Sequence, residues 1–291
     1  MKLRLLSLLL ALTLVLSLLP VGVAAADENP NVVTEGNIIF DLSTQTVTGV
    51  TTQSITALII PETIRGVTVL KIADTGVFAD CASLGSVTIP KTITHIGADA
   101  FRGCGNLTTV TIEDGAATLA IGPRAFAQTG ISSITLPDSV NSIAGSAFTE
   151  CRTLTSIAIP SGVSKIDDDT FYGCVSLSLA VIPKGTNVSG NAFSNCQKLT
   201  MIHYLDNIEP SWKDDIENKD VHLARLTVTA TEPSTCTKAG FRVEKIFCNS
   251  CNKEIMSTTR YIKLAPHQEV AITPAEIPAT CEQTGSRGGT K

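Results

Sequence analysis

The stretch Phe101-Arg102-Gly103-Cys104-Gly105-Asn106-Leu107-Thr108-Thr109-Val110-Thr111-Ile112 decides how this chain folds, because variants of it recur along the sequence. Its aromatic returns as Phe78, Phe101, Phe126, Phe148, Phe171 and Phe193, at steps of 23, 25, 22, 23 and 22 residues. Three residues after each Phe stands Cys81, Cys104, Thr129, Cys151, Cys174 or Cys196. Three further on comes Leu84, Leu107, Leu154, Leu177 or Leu199. In the Thr129 copy, one residue shorter there, Ile131 takes that place. Each copy then runs into a short alternating stretch, and several of these end on Pro, as in Ile89-Pro90, Leu136-Pro137, Ile159-Pro160 and Ile182-Pro183.

A unit of this size has too few apolar side chains to bury a face by itself, so neighbours have to stack and share one core. The Leu-x-x-Val-x-Ile piece has the period of two and the β-branched residues of a half-buried strand. Proline after it cannot donate to a ladder and turns the chain. The Ala-Phe pairs fall on the return side, Phe filling the interior of the coil. Stacked strands lie ~4.8 Å apart, so six coils span on the order of 25–30 Å.

The run Ile159-Pro160-Ser161-Gly162-Val163-Ser164-Lys165-Ile166, followed by Phe171-Tyr172-Gly173-Cys174 and Leu177, resembles the BspA-type leucine-rich repeat, and the likeness extends over residues 36–204. It implies a leucine-rich-repeat solenoid. A parallel β-sheet would line one face, with short turns or irregular helical segments on the return side. The family consists of secreted or surface-attached, mostly bacterial proteins, which implies adhesion or ligand binding at a cell surface and supplies no catalytic residues. The third copy departs from the pattern at Thr129 and lacks a proline after Ile112, which predicts a local kink.

The outward strand positions are rich in hydroxyls, and Thr109, Thr111, Ser133, Thr135 and Ser156 are the candidate binding residues. In the last two coils the outward set turns apolar, with Leu179, Val181, Met201 and His203. Such a cluster is either an interaction patch or a surface that the following cap covers, and sealed solenoid ends favour the cover. The five cysteines at one coil position fit a column of small buried side chains better than reactive thiols. They are expected to resist alkylation in the folded state.

The expected division is a signal peptide over residues 1–25, a linker and hairpin cap over 26–58, six repeats over 59–203, a C-terminal cap over 204–221, a small Cys-rich β module over 222–266 and a second, partial module over 267–291. The leader reading rests on Lys2 and Arg4, the apolar run from Leu5 to Leu19, and Ala24-Ala25-Ala26. It implies an extracellular, secreted or wall-associated chain with no transmembrane segment after cleavage. The two modules align at a step of 45 residues, matching His222, Cys236 and Gly240 with His267, Cys281 and Gly285. The second copy stops at Lys291, which predicts a longer protein. Within the first copy, Cys236, Cys248, Cys251, His222 and His267 are candidate ligands for a structural zinc, and Cys248-Asn249-Ser250-Cys251 has the C-x2-C spacing of such sites. A disulfide from Cys236 to Cys248 or Cys251 fits the exported compartment equally well. The module also resembles the short Cys-rich tandem repeats that trail bacterial surface-protein domains, implying a stalk or spacer.

With 22 basic against 27 acidic residues the formal charge is −5, which argues against nucleic acid or a polybasic membrane anchor. No nucleophile elbow, phosphate-binding loop or zinc-protease motif occurs. The partner implied is a protein or glycan at the cell surface. Two other readings stay open: a targeting arm of a surface enzyme whose catalytic domain lies beyond Lys291, and a structural surface-layer component.

Overall fold

The computed structural model describes residues 29–115, 117–206, 208–216, 219–232, 240–249, 252 and 254–262. The expected leader, together with Cys236, Cys251, His267 and the second module, lies outside the described residues. The chain opens with β1 (Val32–Glu35), β2 (Ile38–Asp41) and β3 (Thr46–Val50), an antiparallel meander. Then come β4 (Ala57–Ile59), β5 (Thr63–Ile64), β6 (Val67–Thr68), β7 (Lys71–Ile72), β8 (Ser86–Ile89), β9 (His95–Ile96), β10 (Thr109–Ile112), β11 (Leu119–Ile121) and β12 (Val140–Ile143). They are followed by β13 (Ser156–Ala158), β14 (Lys165–Ile166), β15 (Leu179–Pro183), β16 (Asn187–Val188) and β17 (Met201–Leu205). A one-turn 3-10 helix over Lys213–Asp215 leads into three long strands, β18 (Asp220–Glu232), β19 (Gly240–Cys248) and β20 (Glu254–Ile262).

Each repeat makes one winding, and the windings pair in parallel. On the face expected from the sequence, β4, β8 and β10 form one ladder, and β13, β15, β17 and β18 form another. A second parallel ladder runs along the opposite side of the coil, where β3, β7, β9, β11 and β12 pair in order and β14 pairs with β16. Its strands are two to four residues long in the repeats and centre on a buried column of Ile72, Ile96, Ile121, Ile143, Ile166 and Val188. The period-two signal of so short a strand is too weak to be read from sequence.

Between the ladders the six Phe rings stack. Successive centroids are 5.0 to 5.5 Å apart and the planes lie within 10° of parallel. All six rings are at most 1% exposed. Burying one such ring contributes up to about 3 kcal/mol, and stacking adds about 0.5–1.5 kcal/mol. Left-handed residues stand two before and two after most of these rings: Gly76 and Asp80, Asp99 and Gly103, Arg124 and Gln128, Ser146 and Glu150, Asp169 and Gly173. They fold the return side into tight turns, the first of the two forms expected for it.

The cysteine column is buried, with Cys81, Cys104, Cys151, Cys174 and Cys196 each at most 1% exposed. Each thiol donates to a main-chain carbonyl of the preceding coil: Cys81 to Gln53, Cys104 to Phe78, Cys151 to Phe126, Cys174 to Phe148 and Cys196 to Phe171, at 3.0 to 3.2 Å. Burial pushes the Cys104 thiol up to about 12 and the Cys151 thiol up to about 11. The neighbouring Cys196 and then burial push Cys174 up as well. This is a packing and hydrogen-bonding slot in which burial disfavours the thiolate at Cys104 and Cys151, while the bond with Cys174 holds the Cys196 thiol below its ordinary range.

At the far end Trp212 is 3% exposed, donates its Nε1–H to the Thr186 carbonyl at 2.8 Å and meets Tyr204 edge-on. It plugs the last coil. The expected boundary at residues 221–222 falls inside β18, which pairs in parallel with β17 through Leu223 and antiparallel with β19 from Ala224 onward. One continuous strand therefore joins the solenoid to the C-terminal meander.

Candidate functional site

The hydroxyl-bearing face is interrupted at the third coil. Seven residues separate Ile89 from Ile96, but nine separate Ile112 from Ile121, and the turn after Phe126 is one residue short. The winding is thus long on one side and short on the other. Gly130 permits the short turn, since a Cβ there would run into the Gly105 carbonyl of the coil below. The stretch Ser132–Leu136 cannot keep register with β10. It makes a single bridge, Ser133 to Ser156, and β10 is left as the edge of its sheet. The kink expected at this copy is a break in one ladder, while the Phe stack and the opposite ladder from β9 to β11 pass through it intact.

The break opens a cleft of about 380 Å³ lined by Thr108–Ile112 and Ser132–Thr135. Four of the sequence-predicted binding residues, Thr109, Thr111, Ser133 and Thr135, are exposed along it, and Ser156 adjoins it half-buried through the Ser133 bridge. The amides of Thr109 and Glu113 donate back to Gly85 and Ile89. By the alternation of a parallel ladder, Val110 and Ile112 then turn their N–H and C=O groups toward the cleft. A second depression of about 330 Å³, lined by Gly105, Gln128, Thr129, Gly130, Glu150, Arg152 and Thr153, opens beside the shortened turn.

The other candidates are placed differently. Val181 is 1% exposed and His203 8%, so neither faces solvent as the outward reading required. The cause is the C-terminal meander: Val181 packs in one cluster with Ala224 and Ile246, against which Ala158, Leu179, Leu205 and Ile255 lie. Leu179 and Met201 are half-buried. The apolar set is covered, and the cover is β18 with β19 rather than the segment 204–221. The source of this cover has no local signal in the sequence, since it depends on the pairing of β17 with β18.

Of the zinc candidates, His222 and Cys248 come together, with the Cys248 Sγ 3.6 Å from the His222 Nδ1. His203, which the sequence offered only as a surface residue, stands beside them across the β17–β18 pair, its ring edge-on to His222 at 6.1 Å. Burial, then the neighbouring His222, holds the His203 imidazole below its ordinary range. Among the described residues no group of three or more His, Cys, Asp and Glu side chains forms a ready metal cage, and no helix is long and apolar enough to cross a membrane.

Residues 71–200 match the family described as BspA type leucine rich repeat region, in six copies. Among solved structures, a leucine-rich repeat protein of T. pallidum is 25% identical with a TM-score of 0.47, covering 54% of this chain and 72% of that one. A leucine-rich repeat protein of Bacteroides ovatus is 20% identical with a TM-score of 0.31, covering 67% of each chain. A leucine rich cell surface protein of Faecalibacterium prausnitzii is 18% identical with a TM-score of 0.23, covering 67% of this chain and 100% of that one. No protein of curated function matches the chain. Six copies in register, each winding carrying its Phe, its Cys (Thr129 in the third) and its Leu (Ile131 in the third) into one continuous core, identify residues 71–200 as a BspA-type leucine-rich repeat region.

Proposed function

We propose that this chain is a non-enzymatic repeat protein, displayed outside the cell, that binds a protein or glycan partner through the cleft at the third coil. The observation that carries the reading is the convergence of Thr109, Thr111, Ser133 and Thr135 on the cleft where the ladder breaks. Hydroxyls spaced along β10 and along the facing segment Ser132–Thr135 suit the donors and acceptors of a sugar. The free main-chain edge of β10 suits an extended peptide, which gains affinity from ladder hydrogen bonds. A rigid stack holds both sets in place before the partner arrives, so little ordering cost is charged to binding.

The leader pattern and the surface-protein family support an extracellular setting. The meander after the solenoid, which falls in the first Cys-rich module, then acts with the partial module that follows as a stalk or spacer beside the binding face.

The test is an array of glycans and extracellular-matrix proteins probed with the purified chain and with a Thr111→Arg, Ser133→Arg variant. These side chains are exposed, so the variant should keep the wild-type melting temperature and lose binding to every hit at least tenfold. Hits that bind the variant as tightly as the wild type would place recognition elsewhere, and a wild type silent across the array would count against the reading as a whole.

A further inference from the structure

The seam between the solenoid and the C-terminal meander holds a group of side chains that packing alone does not explain. His203 arrives from β17, His222 from β18 and Cys248 from β19, three strands that are neighbours in one sheet. His203 and His222 are direct register partners, and Cys248 pairs with Ala224, the next residue of β18 on the same side. Cys248 is 1% exposed and His203 8%. The Nδ1 of His203 is buried and has no hydrogen-bond partner. An unsatisfied buried imidazole nitrogen costs about 1–3 kcal/mol, and an apolar residue would fill this position without that cost.

We propose that His203, His222 and Cys248 are ligands of a structural zinc ion that fastens the C-terminal meander to the last coil of the solenoid. On a tetrahedral zinc, with Zn–N near 2.05 Å and Zn–S near 2.3 Å, a nitrogen and a sulfur stand about 3.6 Å apart. The Cys248 Sγ and His222 Nδ1 are already at 3.6 Å. Two imidazoles on one such ion have centroids about 5 Å apart. The observed 6.1 Å is closed by a shift of about 1 Å in the His203 ring. Coordination would occupy an orphaned nitrogen, and the fourth position falls to a ligand outside this triplet. The site differs from the sequence expectation in its central member, since His203 belongs to the solenoid and not to the Cys-rich module. It is independent of the binding cleft, so either proposal can fail alone.

The experiment uses the full chain, reduced, freed of metal and titrated with Co(II). One equivalent should bind with the visible bands of tetrahedral cobalt and a thiolate-to-cobalt band in the near ultraviolet, and Zn(II) should displace it. The Cys248→Ala variant should lose the thiolate band. His203→Phe keeps the position filled and apolar, so its circular dichroism should match the wild type while its affinity for cobalt and zinc falls at least about a hundredfold. Should Cys248→Ala fail to fold, zinc protection of Cys248 against alkylation in the wild type reads out the same bond. Unchanged cobalt affinity in His203→Phe would overturn the proposal, as would a wild type that binds no cobalt or one whose Cys248 is recovered in a disulfide.

Discussion

The Sγ–H of Cys151 donates to the main-chain carbonyl of Phe126 at 3.0 Å, one coil below, and the Thr129 hydroxyl donates to that same oxygen at 2.8 Å. The two side chains also touch each other at 3.3 Å. Thr129 therefore bonds within its own coil rather than reaching down to Phe101, so the Phe126 oxygen has two side-chain donors while the Phe101 oxygen accepts from the Cys104 amide. Replacing Thr129 by Val should cost about 1 kcal/mol, because one of two donors to a buried carbonyl is removed. Chemical denaturation of the two proteins measures it, and a loss above about 3 kcal/mol would mean that the hydroxyl supports more than this oxygen.

The same column predicts thiol behaviour. With Cys104 pushed up to about 12 and Cys151 to about 11 by burial, neither forms thiolate at pH 8. Iodoacetamide should leave the column unmodified in the native chain and label it fully in denaturant. Mass analysis of the digested protein decides, and rapid native labelling of Cys104 or Cys151 would contradict the structure.

Phe148 lies in the middle of the aromatic stack, between Phe126 at 5.5 Å and Phe171 at 5.5 Å. Truncation to Ala should cost about 3–5 kcal/mol, since the ring leaves a cavity that flanking coils cannot close without breaking their own ladders. The expected outcome is a large fall in melting temperature, with the solenoid signal lost in one transition. A fall of less than about 1 kcal/mol would show that the stack relaxes locally.

This much was legible in advance, and the reason is periodicity. Phe, Cys and Leu recur at fixed spacing, and only a shared core accounts for that, so the windings, the inward Phe and the buried cysteines follow from the residues alone. The second ladder did not. Its two-residue strands β7, β9, β14 and β16 carry one buried apolar residue each, as at Ile96 and Ile166, and a single apolar residue has no period. The cover over Val181 and His203 was also illegible as to its source, because strand pairing between the last coil and β18 depends on register that the sequence does not encode locally.

Acid should weaken one rung of the return side. Asp99 accepts from Arg124 through Nε at 2.8 Å and Nη2 at 2.6 Å, and this guanidinium holds the carboxyl below its ordinary range. A carboxyl whose folded value is depressed stabilises fully above its unfolded value, about 3.9, and that stabilisation is lost as pH falls through the depressed value. The Arg124 side chain is 52% exposed, so the pair is worth under about 1 kcal/mol. Arg124→Ala should therefore lower the melting temperature slightly at pH 6 and not at pH 2. An equal deficit at both values would assign the effect to packing.

Placing a charge beneath the meander should act on stability rather than on binding. Val181→Asp would bury an unpaired carboxylate against Ala224 and Ile246, at a cost of several kcal/mol. Gln197→Asp, at an exposed position of the next turn, serves as the control and should change little. Limited proteolysis of the C-terminal strands reports on the outcome, and a Val181→Asp protein as resistant as the wild type would mean that the cover is not seated on this coil.

A rod of near-identical windings offers a partner the same surface at every level, so a ligand could slide from one rung to the next without preference. The irregular third winding breaks that translational sameness. Duplication or loss of ordinary coils would change the reach of the molecule, while the address at which something docks would travel with this one aperiodic turn.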